Sequence, residues 1–334
     1  MIIQINMKFI HYLKVAKEYV NGSVKTSIII VAFVMALYSC NNLGVEKHTD
    51  TATTGNAAIA TDETFQPIVE AILPVYHAIY KYAKIKVNYL PEVDAINLLL
   101  KDSVKLAIVP RPLTANEVSY FNEKQIFPKE VKIALDGIAV LVNKKNTDTL
   151  LTVEQLRDIF LGKITRWEQI NPSSTLGELK VIFDNPNSSI VRYVVDSITK
   201  SNILSDKLSA MKYNRDVVEL VSNTPNAIGL IGVSWVSDKD DPACLSFLKN
   251  ISVVAISKNN KATPENSFQP FQAYIATGKY ALTRYIYMIN TEPRAGLATG
   301  FSAFAAGDKG QRIILKTGIL PYTQPVRIIQ IKDN

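Results

Sequence analysis

The sequence predicts an α/β protein of two lobes, with the chain crossing between them. Two observations carry that prediction. Short apolar runs alternate with stretches of helical periodicity of about a dozen residues, the pattern of parallel βαβ units. The pattern then begins again: DGIAVLVN (Asp136–Asn143) leads into a second strand–helix series that ends at AIGLIGV (Ala227–Val233). The 334 residues suffice for one large domain or two ordinary ones, and 47% hydrophobic with 20% charged residues is the composition of a folded globular protein.

The elements follow in order. AAIA (Ala57–Ala60) is a short strand. From Phe65, the apolar positions Ile68, Val69, Ile72, Leu73, Tyr76, Ile79 and Tyr80 keep helical spacing, with Pro67 tolerable in the first turn and Pro74 expected to kink the helix. IKVNYL (Ile85–Leu90) is a strand, Val93–Leu100 a helix and KLAIV (Lys105–Val109) a strand. Thr114 with Glu117, and Thr152 with Gln155, are capping-box pairs that start helices. The second region reads as helix Val153–Phe160, strand KVIFD (Lys180–Asp184) and helix Ser188–Thr199. RYIYMI (Arg284–Ile289) is a late strand, followed by a helix ending near Lys316.

The N-terminus is of a different kind. Residues 1–39 carry four lysines against one glutamate, so of the +7 on the whole chain only +4 belongs to the rest, too little to argue for nucleic acid. The run SIIIVAFVMALYSC (Ser27–Cys40) is short for a membrane span and is preceded by basic residues, as in a secretory signal. It ends in Leu37-Tyr38-Ser39-Cys40, which resembles a bacterial lipobox with Cys40 as the lipidated residue. The alternative is an uncleaved anchor. Both put the remainder outside the cytoplasmic membrane, held on its periplasmic side. Met7 begins a more conventional signal. Residues 41–55 (NNLGVEKHTDTATTG) are polar and aperiodic, a tether.

Residue counts exclude several chemistries. Only Cys40 and Cys244 are present, so no intrachain disulfide, CxxC pair or cysteine zinc cluster is expected. Of His11, His48 and His77, the signal and tether hold the first two. One histidine in the fold argues against a histidine triad or a multi-histidine metal site. No enzyme, metal or cofactor is expected.

Two junctions are candidate anion sites. In IFDNPNSSIVRYVVDSI (Ile182–Ile198), Asn187, Ser188 and Ser189 fall at the expected helix start, where unpaired N–H groups and the helix dipole favour an anion. Ordinary helix capping is the commoner meaning of such residues. Arg192 lies four residues after Ser188, on the same face, and can reach an oxyanion. TDETF (Thr61–Phe65) repeats the strand–turn–helix design, with Thr64 as the expected cap. Strand-end loops add Arg111 and Glu92, and ligands of α/β lobes bind beyond the carboxyl ends of strands. Glu92, and second Asp136, are the candidates to accept the proton of a protonated oxyanion. Trp167 and Trp235 read as core or hinge packing, and GDKG (Gly307–Gly310) is too short for a phosphate loop.

The segments VNYL, AIVPRPLT, ALDGIAVLVN, LTVEQLRDIFLGKITRWEQINP, NAIGLIGV and GQRIILKTGILP stand in an order that resembles the phosphate-binding proteins of ABC transporters, the PstS-like family, over about residues 57–330. LRDIFLGKITRWEQINP is the most specific of them and is structural. The resemblance implies a two-lobed type II periplasmic-binding-protein fold with a hinge and an interlobe ligand cleft. It implies lobe 1 over 56–140 with 270–334, and lobe 2 over 141–269. The family's first junction ends in Thr-Phe, kept here as Thr64-Phe65. Its second usually reads Arg-x-Asp-Gly-Ser-Gly-Thr. Here Asp184 stands at the arginine, Ser188 keeps the first serine and Ile190 replaces the threonine. The family's acidic acceptor is replaced at about Pro110-Arg111, and Glu92 falls where the family has a serine contact.

The expected ligand set is therefore Thr64, Phe65, Glu92, Arg111, Asp136, Asn187, Ser188, Ser189 and Arg192, with Arg192 and Arg111 supplying the displaced positive charge. The expected protein is a monomeric, lipid-anchored solute-binding protein that captures inorganic phosphate or a related oxyanion and hands it to an ABC permease. The open alternatives are another oxyanion, a phosphorylated metabolite, or a surface lipoprotein used for adhesion or signalling.

Overall fold

The computed structural model describes residues 50–237 and 242–323. The signal over residues 1–39, lipidation at Cys40, the tether up to residue 49 and residues 324–334 lie outside the described residues.

The strands are β1 (Gly55–Asp62), β2 (Ala83–Leu90), β3 (Leu106–Val109), β4 (Lys129–Asn143), β5 (Leu150–Thr152), β6 (Lys180–Phe183), β7 (Leu208–Ala210), β8 (Ala227–Gly232), β9 (Ile251–Val253), β10 (Ala255–Ser257), β11 (Ser267–Phe268), β12 (Thr283–Asn290) and β13 (Leu320–Pro321). The helices that position the site are α1 (Gln66–Ile79), α2 (Glu92–Leu100), α3 (Ala115–Glu123), α4 (Val153–Phe160), α5 (Ser189–Tyr193), α6 (Asn214–Asn223), α7 (Leu297–Ala306) and α8 (Asp308–Lys316). The main sheet runs β2-β1-β3-β12-β4-β8-β6-β7, and β5, β10 and β11 form a small second sheet.

Parallel pairing holds within each half: β2, β1 and β3 on one side, β8, β6 and β7 on the other. The centre is antiparallel, where β12 pairs with β3 and β4, and β4 with β8. β4 begins at Lys129, seven positions before the strand expected from Asp136. Its partner changes midway. Lys129–Gly137 pair with β12, and Ile138–Val142 with β8. One strand thereby belongs to both lobes.

Helix periodicity predicts the cores. From α1, Ile68, Val69, Ile72 and Tyr76 are buried, and the Tyr76 ring meets Phe301 and Phe304 edge-on with centroids 5.3 Å apart in each pair. In the other half Leu156, Phe160, Trp167, Phe183, Ile190 and Val194 form one cluster. Full burial of each such side chain contributes about 1.5–3 kcal/mol. Both predicted capping boxes are formed, Thr114 with Glu117 and Thr152 with Gln155. Pro74 does not interrupt α1, which continues to Ile79. Glu70, whose carbonyl loses its partner at that proline, is on the exposed face and open to water.

Residues 50–54, which composition alone reads as tether, pack on the domain. α7 starts at a glycine with no side-chain cap, and Asp50 supplies one from afar: its Oδ2 accepts from the Leu297 N–H at 3.1 Å while Oδ1 pairs with Arg294. Burial opposes ionisation of Asp50, but these bonds hold its carboxyl below the usual range. Replacing Asp50 with Ala removes a cap and an ion pair, and should lower stability by about 1–2 kcal/mol in denaturant unfolding. An unchanged midpoint would mean that this strap contributes nothing.

Candidate functional site

β1, β4 and β12, and the segments that follow β6 and β8, bring polar residues to the line where the two halves of the sheet meet. β12 contributes Arg284, 6% exposed. Its Nε donates to Asp136 Oδ2 on β4 at 3.1 Å, and Nη1 donates to the Ser189 hydroxyl at the start of α5 at 2.6 Å. The guanidinium carbon lies 4.9 Å from the centre of the Phe65 ring, a cation–π contact. The remaining nitrogen, Nη2, is buried and unpartnered. Gly232 closes β8 beside it. A Cβ there would stand 2.4 Å from Thr64 Cγ2 and 3.7 Å from Arg284 Nη2, so glycine is what lets the Thr64 turn approach the strand end.

That turn is held from both sides. Asp62, not Thr64, supplies its cap, accepting from the Thr64 N–H at 2.9 Å. The expected Thr64 cap is thus corrected: Thr64 lies within the 3-10 turn Glu63–Phe65, and its buried hydroxyl is unpartnered. The Thr64 carbonyl accepts from Ser234 Oγ at 3.2 Å and from the Trp235 indole N–H at 3.1 Å, both beyond the end of β8.

A second layer is acidic. Asp184, the residue after β6, accepts from Ser188 Oγ at 2.5 Å and from Asn214 Nδ2 at 3.2 Å. Glu63 accepts from the backbone N–H and the side-chain amide of the same Asn214. Asp62, Glu63, Asp184 and Ser188 line a small, partly open space of about 20 Å³ with Asn185, Lys212 and Tyr213. Burial pushes the carboxyls of Glu63 and Asp184 up to about 7, against the hydrogen bonds they receive. Burial also raises Asp136, to about 6, although Arg284 opposes it, and raises Asp62.

Glu92, Arg111 and Arg192 meet one another. Arg192 donates through Nε and Nη2 to both Glu92 oxygens at 2.8–3.0 Å. Arg111 Nε donates to Glu92 Oε1 at 2.8 Å, and its other nitrogens form a two-point pair with Glu117 at 2.7 and 2.8 Å. The two arginines expected to hold an oxyanion are therefore occupied by carboxylates. Glu92 opens α2 on one half, and Arg192 is on α5 of the other, so the pair ties the halves together. Ser188 caps α5 through Val191 N–H at 3.3 Å. Asn187 is exposed, and its backbone N–H donates to Asn185 Oδ1 in the local turn.

Sequence reading missed Arg284, Asp62, Glu63 and Asn214. Arg284 and Asp62 left a usable signal, a charged residue at the end of an otherwise apolar strand. Asn214 left none.

Two outcomes follow from this geometry. Arg192→Ala should cost about 1–3 kcal/mol of unfolding free energy, and Arg192→Lys should not restore it, because an ammonium cannot make the two-point contact. Equal stability of the three proteins would show that the Glu92 pair does not tie the halves. The pH dependence has a definite sign. Carboxyls whose folded pKa is raised bind protons in the folded state that the unfolded chain has released. Stability is therefore lost as pH rises from the ordinary carboxylate range to about 7. Thermal unfolding midpoints should fall between pH 5 and pH 8. A flat or rising profile would show those acids to be ionised in the folded protein.

A family model described as a PBP superfamily domain matches residues 46–309. The chain is 24% identical over 306 residues to the phosphate-binding protein PstS of Borreliella burgdorferi, covering 88% of this chain and 98% of that one. It is 28% identical over 264 residues to PstS of Staphylococcus epidermidis, covering 77% and 76%. Among solved structures, a putative phosphate ABC transporter substrate-binding protein from Clostridium perfringens with bound phosphate superposes with a TM-score of 0.68 at 20% identity, over 80% of this chain and all of that one. An ABC-type phosphate transport receptor from Vibrio cholerae gives 0.59 at 21%, with the same coverage. These structural likenesses concern the fold. With the two lobes joined through β4 and the polar line between them, the chain belongs to the PBP superfamily.

Proposed function

We propose that this protein captures inorganic phosphate, or a related small oxyanion, between its lobes and delivers it to an ABC permease. One observation carries the reading: Arg284 is a buried guanidinium with an unpartnered Nη2 at the junction of the two halves, where the buried Thr64 hydroxyl is also unpartnered. A buried cation with an unused donor favours an anion, and its fixed fork suits an oxyanion. The names of the relatives, PstS among them, support phosphate as the first ligand to test.

In this reading Arg284 is the principal donor, Thr64 and Ser189 assist it, and Phe65 and Asp136 fix its orientation. Arg111 and Arg192 act through Glu92 on closure. Lobe 1 comprises residues 56–140 and 270–334, lobe 2 residues 141–269, and β4 passes through the hinge. Closure removes the ion from water and satisfies its oxygens with fixed donors, and no bond is made or broken. The protein acts outside the cytoplasmic membrane as a monomer, held by lipid on Cys40. No helix among the described residues is long and apolar enough to cross a membrane.

Calorimetric titration of the purified protein with phosphate, sulfate and arsenate, after unfolding and refolding to strip ligand, tests the reading. Phosphate binding is expected. Arg284→Ala should weaken it by about 2–5 kcal/mol, roughly 30-fold to several thousand-fold. Binding that survives this substitution would take Arg284 out of the site, and no binding of any oxyanion by the native protein would reject the function.

A further inference from the structure

We infer that the face formed by the C-terminal half of α1 and the start of β2 docks on an anionic phospholipid surface and so sets how the anchored domain sits on its membrane. This rests on lipidation of Cys40, part of the reading above, and goes beyond it.

The apolar side chains come first. α1 buries Ile68, Val69, Ile72 and Tyr76, but it shows Pro74, Val75, Ala78 and Ile79 to water, and Tyr82 continues the stripe past the helix end. Val75, Ile79 and Tyr82 are 38%, 40% and 80% exposed. A single exposed aliphatic side chain is ordinary, whereas a contiguous stripe marks an interaction surface.

The charge beside the stripe is of one sign. Residues 71–86 contain three lysines and no acid. Lys81, Lys84 and Lys86 are exposed and line one shallow depression with His77, whose Nε2 accepts from the Ile85 N–H at 3.2 Å. The acid that precedes the stripe, Glu70, accepts from the Gln66 amide at 2.7 Å. β2 is the outermost strand of the main sheet, and lysines there also discourage pairing with another chain. That purpose does not call for exposed valine, isoleucine and tyrosine next to them. Apolar and aromatic side chains flanked by lysines fit the boundary of an anionic bilayer: the first enter the headgroup region and the second meet the phosphates.

The chain enters the domain beside this face. The Ala52 carbonyl accepts from the Tyr76 hydroxyl at 2.8 Å, and the Gly55 N–H donates to the Tyr82 carbonyl at 2.9 Å. Cys40 precedes Asp50 by ten positions. Even fully extended, that length of chain spans at most about 35 Å. A lipid on Cys40 therefore holds this end of the domain toward the bilayer.

The test places an added indole on the face with Tyr82→Trp, and a second one with Ile203→Trp, at a side chain also 80% exposed and just before β7, the other edge of the main sheet. The full chain carrying each substitution is reconstituted with vesicles of brominated phosphatidylcholine, with and without an equal amount of phosphatidylglycerol. Its fluorescence is read against that of the native protein, in which Trp167 and Trp235 give the background. With phosphatidylglycerol, the indole at position 82 should be quenched and shifted to the blue, and that at position 203 should not. Replacing Lys81, Lys84 and Lys86 together with Glu should abolish the quenching, since each lysine shifts the docking equilibrium about fivefold. Vesicle-bound protein whose indole at position 82 is quenched no more than that at position 203 overturns the inference and leaves the anchor standing. Protein that stays off vesicles of both compositions rejects the anchor and the inference together. A blue shift at position 82 that arises in detergent without vesicles and grows with protein concentration assigns the face to a second copy of the chain, and likewise overturns the inference.

Discussion

A guanidinium buried where β12 crosses β4 is the constraint on which the rest of the junction depends. Placing a full charge out of water is costly unless paired and hydrogen-bonded. Arg284 meets that requirement from three directions: Asp136 on the neighbouring strand, the Ser189 hydroxyl from the opposite half, and the face of Phe65 below. Each partner comes from a different element, so correct pairing of the two halves is written into one side chain's contacts. Gly232 belongs to the same constraint, because any side chain there would collide with the Thr64 turn beside the guanidinium.

A second set of charges does mechanical work at the edge of this junction. Glu92 is nearly inaccessible and gathers both Arg111 and Arg192. An arginine at the start of α5 looks, from its position, like a ligand for a small anion. Once the carboxylate at the start of α2 reaches it, the better description is a tie between lobes. Arg111 shows the same logic, since Glu117 of the α3 capping box takes its other two nitrogens. Both guanidiniums expected to supply positive charge to an anion are thus engaged by carboxylates.

The consequence is an unusual balance of charge. With those two arginines engaged, four buried carboxyls are left with a single buried guanidinium among them. Burial raises all four, Glu63 and Asp184 to about 7 and Asp136 to about 6. Stability is then linked to pH through these groups.

Much of the scaffold was legible in order along the chain. The alternation of apolar runs and helical periods located most strands and helices, both capping boxes formed as their spacing required, and TDETF and NPNSS were correctly read as strand-to-helix turns. These are local properties, set by side-chain period and by hydrogen bonds over a few residues. The partners of the charged side chains were not legible. Glu92 and Arg192 lie 100 residues apart, and Asp136 and Arg284 lie 148 apart. Only the pairing of β12 with β4, and of β4 with β8, brings them together. The sequence by itself determined where polar groups end strands and begin helices. Tertiary structure decided which of those groups satisfy one another and which keep an unused hydrogen bond, because that choice depends on distances fixed by the sheet order and not by neighbours in the chain.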